Sequence, residues 1–290
     1  MTPTWRSDER PPPAMIGPLG WVRAVVRGAL LGVVVFGGLV VLVGLRLLEA
    51  PIHGLHRPWT PWITQGVCRA AFVILGIRHR VTGHQMRERG AVVANHSSWL
   101  DIFALNACKR VYFVSKAEVA GWPGIGWLAR ATGTVFITRD PRQAKTQQAL
   151  FEARLKAGHK LLFFPEGTST DGQRVLPFKS TLFGAFFAPD LREILHVQPV
   201  TVNWTAPPGE DGRFYGWWGD MEFGTHLLKV LAAPRQGAVE IIYHTPLRVA
   251  EAGDRKMLAV AAEAAVREGF ANRPGTGPAT AHPSSPASAS

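Results

Sequence analysis

The first strong pattern along the chain is an uncharged apolar run near the N-terminus. Between Arg27 and Arg46 lie 18 residues without a charged side chain, GALLGVVVFGGLVVLVGL. As a helix they would extend about 27 Å, close to the ~30 Å thickness of a bilayer's hydrocarbon. The apolar part of a cleaved signal peptide is usually about 7–15 residues and ends at small residues, whereas this run ends at Arg46-Leu47-Leu48-Glu49. The pattern therefore predicts a retained membrane anchor.

A second apolar segment follows at 62–77, WITQGVCRAAFVILGI, and it contains Arg69. A segment this short with an internal charge is a poor span, but it suits a helix in the interface, where Trp59 and Trp62 favour the headgroup layer. Because basic residues flank the first run on both sides, their distribution gives no orientation. We therefore expect a membrane-anchoring helical hairpin over residues 21–78, lying in one leaflet. The alternative is two core helices of the globular part.

From residue 80 the apolar pattern alternates between short runs typical of strands and longer runs typical of helices. The strand-like runs are 91–95, 111–116, 134–139, 160–167, 196–204 and 238–249, and the helix-like runs are 97–109, 124–131, 143–158, 182–189 and 254–270. This alternation predicts an α/β fold, a mixed and largely parallel sheet covered by helices. We assign residues 79–271 to this domain, 1–20 to a flexible arm and the Pro-, Ala-, Ser- and Thr-rich 272–290 to a disordered tail.

Composition narrows the classes of partner. Lys and Arg number 32 against 21 Asp and Glu, a formal net charge of +11, which attracts nucleic acid, anionic membranes or phosphorylated substrates. Since the basic residues are dispersed and form no recognisable nucleic-acid-binding module, we expect an anionic membrane surface and no nucleic acid. The two cysteines, Cys68 and Cys108, exclude a disulfide scaffold and a four-cysteine zinc site. The histidines are scattered without ligand spacing, so no metal is expected.

The first motif that can carry chemistry is Asn95-His96-Ser97-Ser98-Trp99-Leu100-Asp101, between a predicted strand and a predicted helix. A carboxylate five residues after a histidine can hold the imidazole in one tautomer and stabilise its protonated form. The start of the helix also offers free backbone N–H groups to a developing negative charge. The spacing alone is weak, because Ser98 and Asp101 also match a helix N-terminal capping pair.

Two further motifs follow strands. In Phe164-Pro165-Glu166-Gly167-Thr168-Ser169, Gly167 permits a tight turn, and the neighbouring N–H and hydroxyl groups can bind an anion or a substrate hydroxyl. The alternative is an ordinary turn with a solvated Glu166. In the segment 133–139, a strand ends at Arg139, whose guanidinium suits bidentate binding of phosphate or carboxylate. The alternative there is a surface salt bridge to Asp140 or Glu118.

The order of these motifs resembles the glycerolipid acyltransferase family, typified by lysophosphatidic-acid acyltransferases. The resemblance covers about residues 80–205 and implies an α/β domain on an N-terminal membrane-binding helical pair. It implies His96 as general base, Asp101 as its orienting partner and Asn95 as a substrate-binding residue. It further implies that the acceptor's anionic head binds Arg139 and that the acceptor site is lined by Glu166, Gly167 and Thr168. Pro199-Val200 and a Lys116-x-Glu118 pair also match.

One departure from the family bears on the acceptor. Many members carry Arg directly after Phe-Pro-Glu-Gly-Thr, as a second phosphate contact, and here that position is Ser169. The stretch that follows, together with the segment 215–221, resembles the branch containing bacterial lyso-ornithine-lipid acyltransferases. Lys179 or Arg174 could supply the missing charge.

The sequence therefore predicts a membrane-associated O-acyltransferase of bacterial lipid metabolism. His96 would deprotonate a lysolipid hydroxyl, which attacks the thioester of acyl carrier protein or acyl-CoA, with no covalent acyl-enzyme and no cofactor besides the acyl donor. The acceptor expected first is 1-acyl-sn-glycerol-3-phosphate, giving phosphatidic acid for phospholipid synthesis, and the alternative is lyso-ornithine lipid, giving ornithine lipid. We expect the inner or cytoplasmic membrane, with the catalytic domain on its cytoplasmic face. A thioester hydrolase and a non-enzymatic binder of nucleic acid or membranes are the rival classes.

Overall fold

The computed structural model describes residues 5, 15–138, 142 and 144–273. The strands are β1 (Arg78–Gly83), β2 (Gly90–Ala94), β3 (Tyr112–Lys116), β4 (Val135–Ile137), β5 (Leu161–Phe163), β6 (His196–Thr205), β7 (Ala238–Tyr243) and β8 (Leu247–Arg248). The α-helices are α1 (Pro18–His53), α2 (Thr60–Leu75), α3 (Leu100–Cys108), α4 (Ile125–Thr132), α5 (Ala144–Lys156), α6 (Pro189–Arg192), α7 (Phe223–Ala232) and α8 (Arg255–Ala271). Shorter 3₁₀ segments cover Ala117–Gly121, Ser180–Phe187 and Val249–Glu251.

The strands form one sheet in the order β1-β7-β6-β2-β5-β3-β4, with β8 also on β6. The β6–β7 and β6–β8 pairings are antiparallel and the others are parallel. Every residue of the central strand β2 is buried, as expected for a parallel strand covered on both faces. The prediction of a mixed, largely parallel sheet covered by helices is confirmed.

The two faces of the sheet have separate apolar cores. Along β2, Val92 and Ala94 contribute to the core under α1, α2, α3 and α7, whereas Ala91 and Val93 contribute to the core under α5, α8 and the Ser180–Phe187 segment. The parallel strands β2 and β5 end at the same edge. The loops that follow them therefore meet there, where open α/β sheets usually bind their ligands.

Four details differ from the sequence predictions. Strand β1 was not predicted, because it is an edge strand whose residues are mostly exposed and carry no apolar alternation. Helix α7 was not predicted either. The segment predicted as a helix over 182–189 is mainly the 3₁₀ segment Ser180–Phe187, and the strand predicted over 134–139 is β4, which ends at Ile137. Arg139, and the arm and tail apart from Trp5, 15–20, Asn272 and Arg273, lie outside the described residues.

Helices α1 and α2 form the N-terminal pair, but α1 is longer than the apolar run suggested. It has 36 residues and begins within the predicted arm, and it is the helix of the described chain that is long and apolar enough to cross a membrane. Its exposed side chains include Val25, Val33 and Val40. Helix α2 instead contributes Phe72 and Leu75 to the core beneath it.

A buried carboxylate joins the two helices. Glu49 on α1 is fully buried, and it accepts hydrogen bonds from the backbone N–H groups of Trp59 (2.7 Å) and Thr60 (3.2 Å) and from the Thr60 hydroxyl (2.7 Å). Arg46 donates to the same carboxylate at 3.1 Å. Because the first N–H groups of a helix lack partners within the helix, Glu49 acts as the N-terminal cap of α2.

Arginines attach this pair to the sheet domain. Arg23 donates to the carbonyl of Ala232 at 2.9 Å. Arg27 donates to the carbonyls of Leu231 (2.9 Å) and Ala233 (2.7 Å), at the end of α7. In the turn after α1, Arg57 donates to the carbonyl of Ala131 at the end of α4, at 2.8 Å. Cations are favourable at helix C-termini, where carbonyls lack partners. These arginines are therefore docking contacts within the protein.

Candidate active site

His96 and Asp101 meet where β2 passes into α3. The distance from His96 Nδ1 to Asp101 Oδ2 is 2.8 Å. Because a carboxylate only accepts, Nδ1 carries the hydrogen of this bond, which leaves Nε2 as the ring nitrogen available to take a proton. The ring stacks on Phe164 with centroids 3.9 Å apart and planes at 10°, and the side chain keeps 18% of its surface exposed. The geometry therefore provides an oriented imidazole that a substrate can reach.

Asp101 is fully buried and is held by several donors. Its Oδ2 also accepts from the backbone N–H groups of Ser97 (2.7 Å) and Ser98 (2.9 Å). Its Oδ1 accepts from the indole Nε1 of Trp204 at 2.7 Å. These contacts hold the carboxylate in one orientation and compensate for its burial. Trp204 is not among the residues predicted from the motifs. Its signal in the sequence is a tryptophan near the end of an apolar strand, because a buried indole N–H needs an acceptor.

Asn95 connects the motif to the neighbouring strand. Its side-chain Nδ2 donates to the carbonyl of Val202 at 2.9 Å, and its Oδ1 accepts from the N–H of Val202 at 2.8 Å. Asn95 is fully buried, and its two side-chain hydrogen bonds tie the residue before His96 to the backbone of β6. Direct contact of Asn95 with substrate stays a prediction; the geometry gives it the task of fixing the backbone before His96.

Glu166 lies inside the protein, so the alternative of a solvated carboxylate is wrong. One oxygen accepts from the backbone N–H of His96 at 2.7 Å and the other from the backbone N–H of Leu176 at 2.9 Å. Burial raises the pKa of Glu166 to about 8, because loss of solvent outweighs the two hydrogen bonds and Asp101 adds a repulsive charge. The Glu166 carboxyl thus links the backbone at His96 to the backbone at Leu176. Contact between Glu166 and the acceptor stays a prediction.

Residues 166–179 contain the positions predicted to bind the acceptor, and we call them the acceptor loop. Gly167 has φ +73° there, a conformation that favours glycine, and a Cβ at this position would lie 2.9 Å from Nζ of the exposed Lys179. Thr168 is half-buried beside it. The N–H of Thr170 donates to the carbonyl of His96 at 3.0 Å. The acceptor loop is therefore brought next to His96, and Lys179 lies beside Gly167 within it.

Ser169, which takes the place of the arginine expected from the family resemblance, has a partner far along the chain. Its hydroxyl donates to the carbonyl of Trp217, and the N–H of Trp217 donates to the carbonyl of Ser97 at 2.8 Å. The Trp217 ring contacts Trp122 and Phe223, with centroids 6.2 Å and 6.3 Å away. An aromatic surface thus lies beside both site loops.

The remaining predicted cations are placed differently. Arg174 forms a two-pronged pair with Asp171, at 3.2 Å and 3.1 Å, so its guanidinium is already engaged by a carboxylate. Arg139 lies outside the described residues. Lys116 ends β3 and Glu118 lies in the next 3₁₀ segment, both exposed. No cluster of three or more His, Cys, Asp or Glu in the described part of the chain is arranged to hold a metal ion, and independence from metals stays a prediction.

Comparison with known proteins places this geometry in a family. Residues 78–203 match the acyltransferase family model. The chain is also 60% identical to the lyso-ornithine lipid O-acyltransferase of Rhodobacter capsulatus, over 93% of this chain and 98% of that protein. This chain belongs to the acyltransferase family. The 78–203 match contains His96, Asp101, the whole acceptor loop and Pro199-Val200, so the resemblance found in the motifs is confirmed.

Two further relatives of this acyltransferase frame the question of its acceptor. It is 43% identical to the 1-acyl-sn-glycerol-3-phosphate acyltransferase of Neisseria gonorrhoeae, but only over 32% of this chain and 36% of that one. The fold is shared with the crystal structure of the 1-acyl-sn-glycerophosphate (LPA) acyltransferase PlsC from Thermotoga maritima, with a TM-score of 0.61 and 20% identity. That match covers 87% of this chain and 94% of that one. The comparisons thus favour the alternative acceptor over the one expected first.

Proposed function

We propose that this acyltransferase esterifies the free hydroxyl of lyso-ornithine lipid, with acyl carrier protein or acyl-CoA as donor. The observation that carries the proposal is 60% identity along almost the whole length of a lyso-ornithine lipid O-acyltransferase. The order of acceptors expected from the motifs is thereby reversed, because the similarity to a 1-acyl-sn-glycerol-3-phosphate acyltransferase spans only a third of the chain.

The His96–Asp101 pair supports a direct transfer. Nε2 of His96 takes the proton of the acceptor hydroxyl as its oxygen attacks the thioester carbonyl. Asp101, on Nδ1, stabilises the imidazolium that forms. The tetrahedral intermediate then collapses, the C–S bond breaks, and the leaving thiolate takes the proton from Nε2. No covalent acyl-enzyme is needed, and the ring returns to its starting tautomer.

The charges of the acceptor loop fit a headgroup weaker in charge than a phosphomonoester. A phosphomonoester carries about −1.5 to −2 near neutral pH, whereas a lyso-ornithine head presents a carboxylate beside an ammonium. Ser169 stands where a second arginine would add positive charge, and its hydroxyl is bonded to the carbonyl of Trp217. The guanidinium of Arg174 is already paired with the Asp171 carboxylate. The predicted Arg139 matches one carboxylate, since its planar fork binds two oxygens.

Contacts of α1 favour a position along the membrane surface. The sheet domain binds Arg23 near the start of α1 and Arg57 just beyond its end. Arg23 and His53 are separated by about 45 Å of helix, more than the ~30 Å hydrocarbon thickness. A transmembrane α1 would have to carry the domain into the bilayer. We therefore place the exposed apolar face of α1 in one leaflet, with the catalytic domain on the cytoplasmic side where the acyl donors are made.

The test is an assay of the purified full chain in mixed vesicles, with labelled acyl-carrier-protein and acyl-CoA donors against a panel of lysolipids. We expect product with lyso-ornithine lipid at a rate at least about tenfold above that with 1-acyl-sn-glycerol-3-phosphate. The opposite order would overturn the acceptor assignment. Release of free fatty acid without any acceptor would instead indicate the rival thioester hydrolase. His96→Ala protein serves as the background control for each combination of acyl donor and lysolipid.

A further inference from the structure

Trp204, on β6, contacts the site from outside the motifs. Its indole Nε1 donates to Asp101 Oδ1 at 2.7 Å. Trp204 is 6% exposed and Asp101 is fully buried. A charged acceptor buried from water makes a hydrogen bond stronger than a neutral pair does. The indole is therefore a substantial contact of the carboxylate.

The two oxygens of Asp101 are not equally constrained. Oδ2 accepts from His96 and from the N–H groups of Ser97 and Ser98, all within five residues in sequence. Oδ1 accepts from Trp204, 103 residues away. Without that donor, a buried anionic oxygen would lack a partner, and rotation of the carboxylate would bring Oδ1 toward the Ser97, Ser98 and His96 donors.

The indole itself is fixed by its neighbours. Tyr215 lies against it with ring centroids 4.8 Å apart, and Phe72 of α2 stacks at 6.5 Å with planes at 21°. The Tyr215 hydroxyl donates to Gln236 and accepts the N–H of Gly237, both at 2.8 Å. The donor is therefore held in place before substrate binds.

We propose that Trp204 is a positioning residue for the acyl transfer, whose indole N–H fixes the Asp101 carboxylate against His96. This rests on the proposed role of His96 as general base. Trp204 acts on the acceptor hydroxyl only through Asp101 and His96. Its loss should therefore lower kcat and leave acceptor binding unchanged.

The first test is Trp204→Phe, which keeps an aromatic ring in the same packing and removes the N–H. We expect kcat to fall about tenfold, the size of one lost hydrogen bond to a charged group, with KM for the lysolipid within about twofold. Trp218→Phe is the matched control, because Trp218 is a similarly buried tryptophan whose ring faces Trp5. It should keep its kcat. A Trp204→Phe enzyme that is folded and keeps wild-type kcat would overturn the proposal.

A double-mutant cycle separates positioning from packing. If Trp204 acts through the carboxylate, Trp204→Phe should lower kcat by less than about twofold in an Asp101→Asn background. A tenfold loss in both backgrounds would show that the ring matters for packing alone. Should Asp101→Asn and His96→Ala both retain wild-type transfer, the general-base assignment itself fails. Loss in those two variants with a silent Trp204→Phe contradicts only the positioning role.

Discussion

The His96–Asp101 pair is formed by residues close in sequence, whereas Glu166 and Ser169 of the acceptor loop bind partners far along the chain. Asp101 binds His96, Ser97 and Ser98, its near neighbours. In the acceptor loop, Ser169 binds Trp217, 48 residues away, and Glu166 binds His96, 70 residues away. The predicted general base and its partner can therefore be built by a short motif, whereas the predicted acceptor site is set by how separate parts of the chain pack. Substitutions of His96 or Asp101 should therefore act on kcat, whereas a substitution such as Ser169→Ala should act on KM for the acceptor.

The largest effect is expected from His96→Ala. Removing the general base should lower kcat by about 10²- to 10⁴-fold, and Asp101→Asn should fall by a similar order because the imidazole would lose its orienting anion. The readout is transfer of labelled acyl groups to lyso-ornithine lipid. Vesicle binding and the thermal unfolding midpoint should stay near wild type for His96→Ala, because the His96 ring is only half-buried and His96 lies between β2 and α3, outside both elements. Folded His96→Ala protein with near wild-type turnover would refute the assignment.

Glu166→Gln tests whether the link that Glu166 makes between the backbone of His96 and the acceptor loop depends on the protonation of the Glu166 carboxyl group. The carboxyl of Glu166 has its pKa raised from 4.5 to about 8 by burial. The folded protein therefore holds this proton more tightly than the unfolded chain does. The stability that this group contributes is complete below about pH 4.5, falls as pH rises, and is gone above about pH 8, with a slope of at most about 1.4 kcal/mol per pH unit.

The variant should lack this slope while being less stable at pH 5. Glutamine offers one acceptor oxygen to two backbone donors, so one of the N–H groups of His96 and Leu176 loses its partner, at a cost of about 1–3 kcal/mol. Urea unfolding of both proteins in mild detergent at several pH values between 5 and 8.5 measures the difference. Parallel stability curves for wild type and Glu166→Gln would show that the proton is not held in the folded state.

A smaller effect, confined to the acceptor, is expected from Ser169→Ala. The change removes a neutral hydrogen bond to the Trp217 carbonyl, worth about 0.5–1.5 kcal/mol, and should raise KM for the lysolipid by about 2- to 10-fold. The kcat at saturating acceptor should hardly change, because His96 and Asp101 keep their contacts. Steady-state kinetics with the lysolipid varied gives both values. A loss confined to kcat would instead connect Ser169 with the chemical step.

The same contrast explains what the sequence could predict. The fold class followed from the alternation of apolar runs, and the His96–Asp101 pairing from spacing, because their causes lie within a few residues. Trp204 and the Ser169–Trp217 contact could not be found that way, since only folding brings β6 and the segment after it to the site. The arginines that flank the N-terminal apolar run gave no membrane orientation for a comparable reason. Arg23 and Arg27 bind the end of α7, over 200 residues away, and serve docking as much as any lipid.

The smallest effect is expected when both remaining cations of the acceptor loop are neutralised, in Arg174→Gln with Lys179→Gln. Arg174 is half-exposed and paired with Asp171, and surface pairs contribute about 0–1 kcal/mol. With lyso-ornithine lipid as acceptor we expect kcat/KM within about threefold of wild type, because the predicted contact with Arg139 would receive the single carboxylate. Lys156→Gln, which removes an exposed partner of Asp190, is the matched control for loss of surface charge.

The size of the loss in kcat/KM caused by the same double variant discriminates between the two acceptors. A phosphomonoester needs a second cation beside Arg139, and with Ser169 in the usual place of that cation, Lys179 or Arg174 would have to supply it. Each charged hydrogen bond contributes about 1.5–3 kcal/mol, so neutralising both would cost on the order of 3 kcal/mol, or more than about a hundredfold in kcat/KM. A loss of that size on 1-acyl-sn-glycerol-3-phosphate, in an enzyme that uses it well, would show that the acceptor loop is built for phosphate after all. A loss within threefold on lyso-ornithine lipid would leave Arg139 as the decisive cation, and Arg139→Ala should then be severe on that acceptor.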